Sequence, residues 1–194
     1  MKTPDILLAM QPVIKSFEQL SITYYIGGSI ASSVYGIARA TMDVDIVADI
    51  KSEHISSLKQ NLEKEYYIDE NMIAEAIQRR SSFNLIHLYT MIKIDVFIKK
   101  NEPYHLCAIQ RRKIDTLDDA MFKLFFSSPE DVIISKLQWY EKGGRKSDNQ
   151  WNDIIGIIKV QGELLDEKYL QKWSKALGVI ELLEKAYDDV NPSA

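Results

Sequence analysis

Three aspartates in apolar, β-branched surroundings are the residues of this sequence best placed to do chemistry. Asp43 and Asp45 stand two apart in "MDVDIVADI", and Asp95 interrupts "IKIDVF". In an extended strand residues i and i+2 share a face, so Asp43 and Asp45 point the same way. Their charges repel, and each carboxylate loses hydration where the strand is buried. A divalent cation resolves the conflict. Mg²⁺ or Mn²⁺ takes hard oxygen ligands, is held by one or two carboxylates, and leaves the rest of its shell to water and phosphate. Taken alone, the pair also fits a solvated strand end. Asp95 adds a third carboxylate, with Ile94 and Val96 directed to the opposite face. A lone edge-strand aspartate is the alternative there. On neighbouring strands, the three would suffice for two ions, one activating a hydroxyl and one holding the leaving phosphates.

Upstream lies "YYIGGSIASSVYG", residues 24–36. Gly27 and Gly28 remove side chains where backbone can approach a ligand. Ser29 opens a helical stretch, whose free N–H groups and dipole favour phosphate. The same three residues also make an ordinary strand-to-helix turn.

Several elements are needed to carry these residues. "ITYYIGG", "VDIVADI", "SFNLIHLYT" and "MIKIDVFIKK" read as strands, the last two adjacent with a turn near Thr90 and Met91. "YYI" at 66–68 and "TLDDAMFKLFFS" offer two more. Thr3 as cap and Pro4 at the first position begin a helix carrying Ile6, Leu7, Met10, Val13, Ile14 and Phe17 at helical spacing. Further helices are expected in "SEHISSLKQNLEKE", "DENMIAEAIQRR" and "PYHLCAIQRRK". "SPEDVIISKLQWYEKGG" has Ser128 as cap, Pro129 first and Gly143 as stop. "SDNQWNDIIGIIKVQG", "DEKYLQKWSKALG" and "VIELLEKAYDDV" complete a helical end. The expected fold is α+β, with a mixed β-sheet core flanked by helices over residues 1–127 and a helical part over 128–194.

"GGSIASSVYGIARATMDVDIV" followed by "IKIDVF" resembles the nucleotidyltransferase superfamily of the polymerase-beta type. The RxTxDxD form, Arg39, Thr41, Asp43 and Asp45, is similar to small bacterial nucleotidyltransferase-like proteins, some of them toxin or antitoxin components of the abortive-infection type. The resemblance implies Mg²⁺-dependent transfer of a nucleoside monophosphate from an NTP to a hydroxyl or phosphate acceptor, which can be a small molecule, an RNA end or a protein. Asp43, Asp45 and Asp95 would hold the metals, and Gly27, Gly28 and Ser29 the phosphates. Arg39 and Lys136 are secondary candidates for phosphate contact. Lys136, Arg145, Asp148 and Asp153 in "SKLQWYEKGGRKSDNQWNDI" loosely resemble the later toxin motif. A non-catalytic nucleotide-binding or antitoxin-type module of the same fold, acting on a partner protein, is the alternative.

Bulk properties narrow the field. The 194 residues, 46% hydrophobic, suffice for a sizeable core. The net charge of −4 argues against a general nucleic-acid or membrane surface, leaving only the short basic run Arg111–Lys113. No apolar run approaches a membrane span, and the one cysteine, Cys107, suits a reducing cytoplasm. His54, His87 and His105 lack zinc-ligand spacing. Trp139, Trp151 and Trp173 fall on amphipathic helices and are expected in the core.

Overall fold

A computed structural model describes residues 4–116 and 123–191. Thr3, and residues 117–122 of the expected strand "TLDDAMFKLFFS", lie outside them. The described chain forms two compact units: residues up to Gly27 with Thr41–Phe126, and Gly28–Ala40 with the chain from Ser127 on.

The first unit is built on a seven-stranded sheet. Its strands are β1 (Tyr24–Ile26), β2 (Asp43–Ala48), β3 (Tyr66–Tyr67), β4 (Ser82–His87), β5 (Lys93–Ile98), β6 (Lys113–Thr116) and β7 (Lys123–Phe126), in the order β3-β4-β5-β2-β1-β7-β6. The β2–β5 and β1–β7 pairs are parallel and the others antiparallel, so the sheet is mixed, as the sequence implied. Alternation along the strands separates two faces. Val44, Ile46 and Ala48 of β2 are buried with Ile94, Val96 and Ile98 of β5. Helices α1 (Asp5–Gln19), α3 (Ile55–Leu62), α4 (Glu70–Arg79) and α5 (Pro103–Gln110) belong to this unit. The apolar stripe of α1 buries Met10, Val13, Ile14 and Phe17, and the Tyr66 hydroxyl donates to the Ala9 carbonyl at 2.7 Å. Asp69 caps α4 by accepting from Met72 N.

One element differs from the sequence reading. The helix expected through "PYHLCAIQRRK" stops at Gln110, and Lys113 begins β6, paired with Phe126. The pairing comes from β7, which no local pattern reveals.

The second unit is helical: α2 (Gly28–Tyr35), α6 (Pro129–Lys142), α7 (Asp148–Gln161), α8 (Glu167–Ala176) and α9 (Ile180–Val190). Ser128 Oγ accepts from Asp131 N, Pro129 opens α6 and Gly143 closes it, each as expected. Trp173 is buried, whereas Trp139 is exposed, outside the Ile133–Leu137 stripe, with the Lys142 ammonium 5.4 Å from its ring centre.

The end of α2 meets α7 backbone to backbone. A Cβ on Gly36 would lie 2.9 Å from Ile157 N, and Gly156 faces Ile37 in turn. Backbone cannot yield there as a side-chain tip can. Gly36→Ala is therefore expected to destabilise by about 1–3 kcal/mol, as overpacking does. Thermal unfolding should show this as a fall of about 2–12 °C; an unchanged melting temperature would refute the close packing. No described helix is long and apolar enough to cross a membrane.

Candidate active site

The candidate residues fall into two groups, one in each unit. In the first, β2 and β5 run parallel with Asp45 opposite Asp95 and Asp43 opposite Lys93. Register partners on adjacent strands share a face, and so do residues two apart. Asp43, Asp45, Asp95 and Lys93 therefore lie on one face, opposite to that of Val44, Ile46, Ile94 and Val96. Gly27 N donates to the Asp45 carbonyl at 2.9 Å, extending the β1–β2 ladder.

Asp95 is held from two sides. Lys93 Nζ lies 2.7 Å from its Oδ2. Asn84 sits opposite Asp95 on β4, and with its amide turned to satisfy both ends its Nδ2 donates to Asp95 Oδ1 at 2.8 Å. The Asp95 hydrogen bond raises the Lys93 ammonium above its ordinary pKa, and the charges of Asp95, Asp43 and Asp45 add to the effect.

The face offers carboxylate oxygens from three positions, the ligand type that a hard divalent cation takes. Among the described residues, no three acidic, His or Cys side chains are gathered closely enough to ligate one ion together. Asp95 instead faces Lys93 and Asn84.

The second group centres on a buried carboxylate. Gly28, at φ 55°, precedes Ser29 at the start of α2. Left-handed backbone of this kind is open to glycine at little steric cost. Arg39 Nη2 donates to Ser29 Oγ at 2.5 Å. Its Nε and Nη2 also donate to Asp153 Oδ1 and Oδ2 at 2.9 and 3.1 Å, a bidentate fork. Lys136 Nζ lies 2.7 Å from Asp153 Oδ2 and 3.1 Å from Gln150 Oε1. The Asp153 and Lys136 side chains are only 3% and 4% exposed. Burial pushes the Asp153 carboxyl up. The hydrogen bonds and charges of Arg39 and Lys136 outweigh it and hold the group below the usual carboxylate range. Arg39 and Lys136 thus share the Asp153 carboxylate, and Arg39 in turn donates to Ser29.

Lys136 is thus no surface lysine. It lies beneath the surface, against the Asp153 carboxylate that Arg39 also grips. Arg145 and Asp148 are exposed; Arg145 pairs with Glu141 at 2.7 Å, and Asp148 lies in the first turn of α7.

No family model and no curated protein matches the sequence. Solved structures do match. ANT(2'')-Ia, an antibiotic-resistance factor, aligns in its solution structure at TM-score 0.54 and 11% identity, over 93% of this chain and 97% of its own. Its crystal structure in complex with adenylyl-2''-tobramycin aligns at TM-score 0.56 and 10% identity, over 90% and 97%. An antigenic nucleotidyltransferase-like protein from Paracoccidioides brasiliensis aligns at TM-score 0.52 and 19% identity, over 89% and 92%. The chain has the nucleotidyltransferase fold.

Within that fold, sequence reasoning overlooked Lys93, Asn84 and the anchoring role of Asp153. Lys93 carried a signal, since it stands two residues before Asp95 and must share its face. Asn84 required the β4–β5 register, and the Arg39–Asp153 pair joins positions 114 residues apart.

Proposed function

We propose that the protein is a nucleotidyltransferase that moves a nucleoside monophosphate from an NTP to a hydroxyl or phosphate acceptor. The observation that carries this reading is the register of β2 and β5, which sets Asp45 beside Asp95 with Asp43 two residues away on the same face. The shared fold with nucleotidyltransferase-like structures supports it.

In this reading Asp43, Asp45 and Asp95 hold Mg²⁺ or Mn²⁺. Bound there, the metal would supply charge neutralisation on the triphosphate and a lowered pKa at the attacking hydroxyl. The chain's own residues do the rest by positioning. Asp43 and Asp45 serve the metal on the triphosphate side, and Asp95 completes the acceptor side. Gly27 and Gly28 present main chain without side-chain obstruction. Ser29 at the start of α2 offers its hydroxyl, with the first N–H groups of the helix, to phosphate. Arg39 fixes the Ser29 hydroxyl and adds positive charge, while Asp153, itself paired with Lys136, holds Arg39 in place.

Thermal unfolding with and without ligand tests the assignment. A ligand that prefers the native state at about 100 times its dissociation constant stabilises by about 2.7 kcal/mol. Mg²⁺ plus the correct NTP should then raise the melting temperature by about 5–11 °C, more than NTP alone. Equal shifts for wild type and Asp45→Asn with each of the four NTPs would rule the site out.

A further inference from the structure

We propose that Lys93 is a built-in counter-ion of the acidic face, which holds Asp95 before metal arrives and must release it for metal to bind. The inference rests on the metal-binding reading of that face and adds a competitor to it. Both Asp95 oxygens are engaged by the protein: Oδ2 by Lys93 Nζ at 2.7 Å and Oδ1 by Asn84 Nδ2 at 2.8 Å. Lys93 also stands opposite Asp43 in the β2–β5 register, so its ammonium offsets part of the negative charge that a dication would otherwise offset.

The two partners of Asp95 differ in how readily they yield. Asn84 is uncharged, and its hydrogen bond to Oδ1 leaves the carboxylate negative and able to ligate. Lys93 brings a full positive charge into the place of the incoming cation. It cannot remain against Oδ2 when a dication binds there, because like charges at contact distance repel. Its side chain is 43% exposed and unbranched, so it has room to swing into solvent once displaced. Lys93 thereby lessens the repulsion among the three carboxylates in the metal-free chain, at the expense of metal affinity.

Binding of Mn²⁺ alone, followed by the loss of its free-ion paramagnetic resonance signal, tests the proposal on the full chain. Lys93→Met keeps the length and removes the charge. It is expected to bind Mn²⁺ about tenfold more tightly, since it removes both an ion pair to break and a like charge to meet. Lys93→Arg keeps the charge and the grip on Asp95, and should bind as wild type does. Asp95→Asn should erase the gain made by Lys93→Met in the double variant. Melting curves without metal give a second readout: Lys93→Met should melt lower than wild type and show the larger rise on adding Mn²⁺. If Lys93→Met binds Mn²⁺ no better than wild type while Asp45→Asn abolishes binding, the counter-ion role is wrong and the metal-binding face stands. If neither wild type nor Lys93→Met binds Mn²⁺ saturably, both fall.

Discussion

Asp45→Asn is expected to lower nucleotidyl transfer by about a thousandfold or more while leaving the fold intact. The magnitude follows from the several kcal/mol of charge stabilisation that a correctly held metal supplies, at about 1.4 kcal/mol per factor of ten. The fold should survive because the substitution is nearly isosteric and creates no cavity. Asp45 is also only half-buried, on the face opposite the Val44 and Ile46 core. Asp43→Asn should behave alike. Asp95→Asn should impair transfer more than NTP binding, because Asp95 is assigned to the acceptor side. Transfer assays beside NTP-dependent melting shifts separate the two effects. An Asp45→Asn protein that retains wild-type transfer would remove the acidic face from the mechanism.

The second large effect concerns stability. Asp153→Ala removes the buried carboxylate that the Lys136 ammonium and the Arg39 fork share. Breaking a buried pair in this way costs about 3–5 kcal/mol. For a chain of this size that corresponds to a melting temperature lower by about 6–20 °C. The penalty should depend on pH in a definite direction. The folded Asp153 carboxyl lies below its ordinary value. Its stabilisation is therefore fully present above the unfolded pKa of about 3.9 and is lost as pH falls through the lower folded value. The gap between wild type and Asp153→Ala should be full at neutral pH and shrink below about pH 4. A gap that widens on acidification would contradict the ion cluster.

Much of this was legible in the sequence because it is local. The period-2 alternation of "DVDIVA" and "KIDVFI" determines which residues of each strand share a face, whereas the pairing of the two strands is set by long-range packing. The caps of α6 followed from Ser128, Pro129 and Gly143. Lys93 was legible by the same two-residue rule that linked Asp43 to Asp45, yet a lysine beside an aspartate reads as ordinary surface charge until the β2–β5 register is known. Lys136 carried a signal too: it falls three residues after Ile133 and next to Leu137, on the buried stripe of α6. Its partner Asp153 stands in another helix, and Arg39 reaches that carboxylate across 114 residues. Such pairs are set by packing, which no sequence window contains. The β6–β7 edge was missed for the same reason, since "RRK" continues a helical pattern until Phe126 offers Lys113 a strand to pair with.

In nucleotidyl transfer the acceptor receives the nucleoside monophosphate of the NTP, not its terminal phosphate, and pyrophosphate leaves. Parallel incubations of the protein with Mg²⁺, cell extract and each NTP labelled either at the α- or at the γ-phosphate test it most directly. With the wild-type protein α-label should enter an acceptor and γ-label should appear in pyrophosphate; with Asp45→Asn neither should occur. Label passing to an acceptor from the γ-position, or no labelled product from any of the four NTPs, would contradict it.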